Sequence, residues 1–360
     1  MKQFPDRLAS LDILRGLTLF LLVFLQPVAC AVLPLWDSAV ARFLLFQLDH
    51  EVWEGFRFWD LIMPLFLFMS GTSIPFSFSK LRKNGYTKAA IYRKVLRRVA
   101  VLFLLGMVVQ GNLLGFDPGA IYIYTNTLQA IALGYLIATV VVLECSRWAW
   151  GQAVAVVLLL AGYAIPMMVC GDYTPEGNLA NRIDACVLGR FRGDPSYTWV
   201  LSSLTFGVTV VLGSLSGQII KQGKQARRQT LVRLLVFGLA TLLAGLLWSG
   251  SMPIVKRIWT GSMALFSGGL CILLLAAFYA WIDVLGHRRG LEWLKIYGMN
   301  SIAAYMLGEV VNFRSAVDSL SYGLSPLLGE AYGAWLTFGN FAVVFLILYC
   351  MYRSRYFLKV

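Results

Sequence analysis

The chain is predicted to be an all-α, polytopic integral membrane protein with about ten transmembrane helices. Three observations carry this prediction. First, of 360 residues, 59% are hydrophobic and 14% charged, against about 45–50% and about 25% in soluble domains. Mean hydropathy is +0.71. Second, the apolar residues come in runs of about 20, enough to cross a hydrocarbon core of about 30 Å as helix. Third, the cations alternate between the connecting segments. Together these exclude a soluble enzyme and a single-anchor protein.

The elements follow in chain order. Residues 13–35 form the first span, opened by Asp12 and Arg15. Residues 58–78 follow a polar patch at 49–60 and run into Lys80, Arg82 and Lys83. Residues 99–114 make a short span entered through Arg93, Lys94, Arg97 and Arg98. Residues 121–143 hold Asn126, Thr127 and Gln129, and residues 148–169 hold Pro166 near their end. The stretch of about 170–198 contains Gly171, Pro175, Gly177, Gly189, Gly193 and Pro195, the signature of an ordered, turn-rich loop. Residues 199–220 end at Lys221, and residues 231–248 follow Arg227 and Arg228. Lys256 and Trp259 open residues 258–282, Asn300, Tyr305, Glu309 and Asn312 stud or border residues 293–311, and residues 335–352 stop at Arg353. All ten are read as helices, since an open strand in lipid leaves backbone groups unpaired at several kcal/mol each.

Loop charge fixes the orientation. With both termini cytoplasmic, 21 of the 31 Lys and Arg fall on inner segments and eight on outer ones. An odd number of spans breaks this positive-inside pattern. The net charge of +13 is therefore mostly topogenic, and no nucleic-acid recognition motif accompanies it. A cleaved signal peptide fits poorly, because Asp12 and Arg15 interrupt its apolar region; the Pro27-Val28-Ala29-Cys30 stretch only loosely resembles a lipoprotein box. Of six cysteines, Cys170 and Cys186 lie in or near the outer loop, and pairing of the two stays open. No Cys-x-x-Cys or Cys/His spacing exists, so no metal is expected. Without repeats or linkers, residues 1–360 read as a single transmembrane domain.

Ionisable groups in spans are costly and default to functional candidates. Asp12 and Arg15 stand at i, i+3 on one helix face, as a structural ion pair or with Arg15 facing an anionic ligand. His50 stands in the densest polar patch, and imidazole suits a general base near neutrality. Asp60 is placed to orient that ring or to pair with Arg57. His287, beside Arg288 and Arg289, reads as a solvated turn. Polar groups in several spans suggest a cavity, the bland reading being interhelical hydrogen bonds of about 0.6 kcal/mol each.

Taken in order, RLASLDILRGL (7–17), HEVWEGFRFWDLIMPLFLFMSG (50–71), NTLQAIALGYLIA (126–138), TPEGNLANRIDACVLG (174–189), KRIWTGSMALFSGG (256–269) and GMNSIAAYM (298–306) resemble the heparan-alpha-glucosaminide N-acetyltransferase family of membrane acyltransferases, bacterial members included. The resemblance implies transfer of an acetyl group from cytosolic acetyl-CoA to a terminal glucosamine across the membrane. The family's catalytic histidine sits in a His-x-x-Trp-x-Gly stretch, which falls on His50, Trp53 and Gly55; its following aspartate falls on Asp60. Departures are Gln26 near a family Asn position, Glu54 where the animal enzyme has Asn, and Gly308 before Glu309 where a His-Glu pair is expected. These bear on the acceptor.

Given that activity, the remaining expectations follow from residue chemistry, with a purely topogenic role as the alternative for each cation. Arg15, Arg93, Arg97 and Arg98 are the cations nearest an inner mouth for the phosphates of acetyl-CoA. Asn126, Gln129 or Asn300 would donate to the developing oxyanion. Asn178 and Asp184 would contact sugar from the outer loop. Lys256 and Glu309 are further substrate candidates. Trp53, Trp59 and Trp259 either stack on a pyranose or sit in the interfacial aromatic belt. The expected partners are acetyl-CoA, an extracytoplasmic saccharide and the bilayer; the resemblance also implies a homodimer. No lysosomal-style lumenal segment precedes the first span, which points to a bacterial inner membrane. The rival reading is a transporter or flippase for a polar or anionic solute, which calls for inverted repeats.

Overall fold

The computed structural model describes residues 8–111, 117–145, 148, 150–223, 226–287 and 289–358. The described chain is helical, with one isolated bridge, Glu54 to Val255, as its only strand-like pairing among these residues. Eight helices are long and apolar enough to cross a membrane: α1 (Ala9–Leu35), Phe58–Lys83, Thr127–Cys145, Gly151–Cys170, Ser202–Gln222, Arg227–Trp248, Gly261–Val284 and the run Arg314–Arg353. The other two predicted spans are also helical. The third is the second half of Lys88–Val109, whose first half carries Arg93, Lys94, Arg97 and Arg98; residues 112–114 of it lie outside the described residues. The ninth is broken at Asn300 into Leu294–Met299 and Ser301–Val310.

The chain divides into two compact units. The first comprises residues up to 50, residues 57–62 and those from 278 onward. In it, α1 lies close against the helix Leu294–Met299 because both present glycine. A Cβ on Gly16 would stand 1.9 Å from Leu294 O, and one on Gly298 2.2 Å from Asp12 O. Such small-residue contacts let membrane helices approach at backbone distance. Phe20 packs edge-on to Trp293 at 4.8 Å, and Ile13, Ile282 and Leu294 form the cluster beside it. A π-turn, Leu21–Leu25, interrupts α1 just before Pro27. Proline there has no N–H to offer Val23 O and its ring crowds that carbonyl, so the turn widens.

The second unit comprises residues 51–56 and 63–277. Its centre is the helix α2, Ser202–Gln222, buried on nearly every face. The apolar helix of residues 63–83 meets it glycine to backbone: a Cβ on Gly71 would stand 1.9 Å from Val210 O, and one on Gly213 2.1 Å from Phe68 O. Thr127–Cys145 crosses the same surface, with Gly134 against Val210 and Phe206. The loop of residues 171–198 follows Gly151–Cys170. It contains a helix, Leu179–Leu188, N-capped by Asn178, whose Oδ1 accepts the Asn181 N–H at 2.7 Å. A core of Tyr163, Met167, Ala180, Met252, Val255 and Ile258 ties the loop region to Gly151–Cys170. Cys170 and Cys186 are both free and exposed.

Candidate active site

The segment from Phe46 to Asp60 belongs to the first unit except for residues 51–56. It begins at the end of the helix Ala39–Gln47, capped at its start by Ser38. Gln47 Oε1 accepts the Phe58 N–H at 3.0 Å, which pins the two ends of the segment together. Arg57 lies with its guanidinium 3.8 Å from the centre of the Phe46 ring and 3.7 Å from Asp49 Oδ2. Asp60 stands in the 3₁₀ turn Phe58–Leu61 that starts the next span, and one of its oxygens caps that turn by accepting the Arg57 N–H at 3.0 Å.

The second Asp60 oxygen meets His50 Nδ1 at 2.9 Å. The carboxylate is fully buried, and the imidazole is 38% exposed. A carboxylate at Nδ1 holds the ring proton there and leaves Nε2 as the basic nitrogen. Asp60 cannot rotate away without breaking its own helix cap. The ring is therefore held in one orientation by a group that is itself held.

Residues 51–56 join the second unit. Glu54 bridges to Val255, and the Gly55 N–H donates to Ile254 O at 2.9 Å. Gly55 takes φ +126, a conformation closed to side-chain-bearing residues. Trp53 donates its indole N–H to Tyr173 O at 2.7 Å and packs on the core beneath the outer loop. The facing loop, residues 252–260, is a knot of hydrogen bonds. Thr260 and Ser262 hydroxyls both donate to Pro253 O, Tyr163 and Ser202 hydroxyls donate to Ile258 O, and Thr205 Oγ1 donates to Trp259 O at 2.7 Å. Within this knot Trp259 sits at φ +47, uncommon for a side-chain-bearing residue.

Two tryptophan expectations are corrected. Trp59 and Trp259 are 5% and 2% exposed. They are core side chains rather than exposed ring faces. The Trp259 ring stands edge-on to Phe206 at 4.9 Å. A turn that buries the indole against a helix was not readable from an aromatic at the start of an apolar run.

Several polar candidates prove to be used by the backbone. Gln129 Oε1 accepts the Thr125 and Asn126 N–H groups at 2.9 and 3.1 Å, and its amide donates to Ile123 O at 2.6 Å. Asn126 Oδ1 accepts the Leu128 N–H at 2.8 Å. Asn300 bridges the break in its span to the C-terminal segment, donating to Tyr356 O and accepting from Leu358 N–H. Asn178 is a helix cap whose amide also donates to Thr174 O and Pro175 O. Asp184 accepts the Trp199 and Val200 N–H groups at 2.7 and 3.0 Å. Burial pushes the Asp184 carboxyl up from its ordinary 3.8, although those two N–H groups and Arg192 oppose the shift. Exposed Asp172 moves the other way, held down by the Thr174 hydroxyl and N–H. Lys256 is buried and Glu309 is exposed at the end of Ser301–Val310.

Of the four cations proposed for the donor, Arg15 pairs with Asp12 at 3.5 Å. Arg93 and Arg97 are exposed, and Arg98 lies over the Tyr135 ring at 4.3 Å. His287 is an exposed turn residue beside Trp281, as expected. The sequence reading missed the locking roles of Phe46 and Gln47, which carry no charge to draw attention. It also passed over Asp283, a carboxylate 95% buried in a π-turn, Tyr279–Val284; one acid near the end of a long apolar run looks like an interfacial residue.

A family profile described as "Heparan-alpha-glucosaminide N-acetyltransferase, catalytic" matches residues 7–183, which include His50 and Asp60. Over these residues the chain is similar to the heparan-alpha-glucosaminide N-acetyltransferase family. Heparan-alpha-glucosaminide N-acetyltransferase of Mus musculus is 24% identical over 371 residues, covering 85% of this chain and 54% of the mouse protein. The Homo sapiens protein of the same name is 23% identical over 370 residues, covering 85% of this chain and 53% of its own length. The chain thus spans about half the length of the curated relatives it matches. Within the family profile fall the His50–Asp60 pair, the Asn126–Gln129 cap and the Asn178 cap; Lys256, Trp259, Asn300 and Glu309 lie beyond it.

Proposed function

We propose that the chain is a transmembrane acetyltransferase. It moves an acetyl group from cytosolic acetyl-CoA to an amino sugar or sugar hydroxyl on the outer, periplasmic side of a bacterial inner membrane. The observation that carries this reading is His50 Nδ1 at 2.9 Å from a buried, helix-capping Asp60. The family profile over the same residues and the relatives' printed name support it.

The acceptor nitrogen or oxygen attacks the thioester carbonyl carbon. His50 Nε2 takes the acceptor's proton as the new bond forms. The C–S bond breaks, and the CoA thiolate leaves and receives that proton from the imidazolium. Asp60 stabilises the positive ring and keeps Nε2 turned to the reacting atoms. The same Nε2 serves a two-step route, in which it first takes the acetyl group from the thioester and then yields it to the acceptor. Arg93 and Arg97, exposed on the inner stretch of Lys88–Val109, would meet the CoA phosphates. Gln129 and Asn126 are engaged in a helix cap and are not assigned the oxyanion.

The test uses the purified full chain, labelled acetyl-CoA and a panel of amino sugars. His50→Ala is expected to lower kcat/KM by about 10²–10⁴-fold, the usual worth of a general base. Asp60→Asn is expected to fall between the two, with CoA binding retained. Transfer that survives His50→Ala unchanged removes His50 from the mechanism. A burst of CoA release without acceptor identifies the two-step route, and its absence the direct one.

A further inference from the structure

A cleft of about 640 Å³ opens in the second unit at the ends of four helices. Arg82 and Lys83 come from the last turn of Ile74–Lys83, and Lys221 from the last turn of α2. Three amides converge with them, Gln152 from the first turn of Gly151–Cys170 and Gln218 and Gln222 from α2. By the loop-charge pattern these helix ends belong to the inner side.

Two details separate this cleft from a merely topogenic cluster. Lys221 Nζ donates to Pro75 O at 3.0 Å, which holds the half-buried ammonium at the cleft wall. Gln152 is 92% buried. Its Oε1 accepts from Gln218 Nε2 at 2.9 Å, and its own NH2 donates to no described residue. Orientation in the membrane requires only that cations lie on one side. It does not require a buried amide donor beside them in a cavity of ligand size.

We propose that this cleft binds a phosphate-bearing anion, the chemistry shared by an anionic phospholipid headgroup and a soluble phosphorylated nucleotide. The guanidinium of Arg82 offers a fork of N–H donors to phosphate oxygens. Lys83 and Lys221 add point charge, and the Gln152 amide supplies a neutral donor to the same oxygens. Phe78 and Val142 give the cleft an apolar wall for the remainder of the ligand. Basic pockets between helices on the cytoplasmic side are the usual seat of acidic headgroups. The cleft shares no residue with the His50–Asp60 pair or with Arg93 and Arg97, which the acetyl-transfer reading assigns to the CoA phosphates.

The full chain in phosphatidylcholine nanodiscs is the starting point, with thermal unfolding as the readout. One arm introduces phosphatidylglycerol into the disc; the other adds ADP to the phosphatidylcholine disc. A rise in melting temperature in the first arm identifies a lipid headgroup, and in the second a soluble nucleotide. Arg82→Gln/Lys83→Gln is expected to weaken the apparent affinity about thirtyfold, from about 1 kcal/mol per cation. Lys221→Arg, which keeps the charge and the wall contact, is expected to retain binding. Arg228→Gln/Arg233→Gln removes equal charge from an exposed stretch nearby in sequence and is expected to change nothing. No shift in either arm overturns the proposal, as does a shift that the Arg228/Arg233 variant loses equally.

Discussion

Asp60 does two things with two oxygens: it caps the turn that begins its helix and it holds His50. A carboxylate with one duty can swing; one with two is fixed, and that rigidity is what a positioned base needs. The His-x-x-Trp-x-Gly stretch was readable in the sequence, and so was Asp60 as its partner. What Trp53 and Gly55 do was not. Trp53 is bound through its indole N–H to Tyr173 O, and Gly55 provides a φ of +126 at the Ile254 contact. Both serve the fold. Gln129 makes the same point from the opposite direction. As a polar residue in an apolar span it reads as a ligand for substrate, yet its amide is satisfied by backbone on both ends. Gln129→Leu is therefore expected to destabilise the protein by about 2–4 kcal/mol, since it orphans buried N–H and C=O groups. Unfolding in detergent measures this, and KM for the acceptor in the surviving folded fraction should stay within about twofold.

Among the helices, the tightest contacts are made by glycine against backbone. Hydropathy locates a span but is silent about which face it turns to a neighbour, because lipid and protein interior are equally apolar. Gly213 and Gly71 mark such a face only once the paired helices are seen. Gly213→Ala would place a methyl 2.1 Å from Phe68 O, and it is expected to cost about 3 kcal/mol or more by overpacking. Gly333→Ala is the contrast. Nothing lies within 4 Å of its added carbon in the helix Tyr332–Arg353, so alanine should stabilise by about 0.5–1 kcal/mol. Melting temperatures of the two variants should move in opposite directions. Helix ends also departed from the apolar runs. The expected spans at 121–143 and 258–282 begin as helix at Thr127 and Gly261, because polar side chains at 126–129 and 252–260 satisfy the preceding backbone in non-helical conformations. Side-chain competition of this kind is local geometry that hydropathy does not report.

For the molecule as a membrane protein, the cation asymmetry makes a definite claim: the outer loop and the Arg227–Arg233 stretch lie on opposite sides. A variant with Cys186 as its sole thiol, exposed on the outer-loop helix, is expected to react with a membrane-impermeant maleimide added to intact cells. A thiol-free variant carrying Arg228→Cys should react only after permeabilisation. Labelling of both, or of Arg228→Cys alone, would overturn the topology.

The sequence by itself determined that this chain is helical, crosses a membrane many times and carries an imidazole with an acid ten residues on. Those properties follow from transfer free energy, loop charge and side-chain chemistry, which are sums over residues and do not depend on how the helices meet. Only the tertiary structure decided that Asp60 reaches His50 Nδ1 at hydrogen-bond distance, that Trp259 is core, and that Gln129, Asn178 and Asn300 serve the backbone. The partner of a polar atom is fixed by packing between segments far apart in the chain, and packing leaves no trace in composition or period.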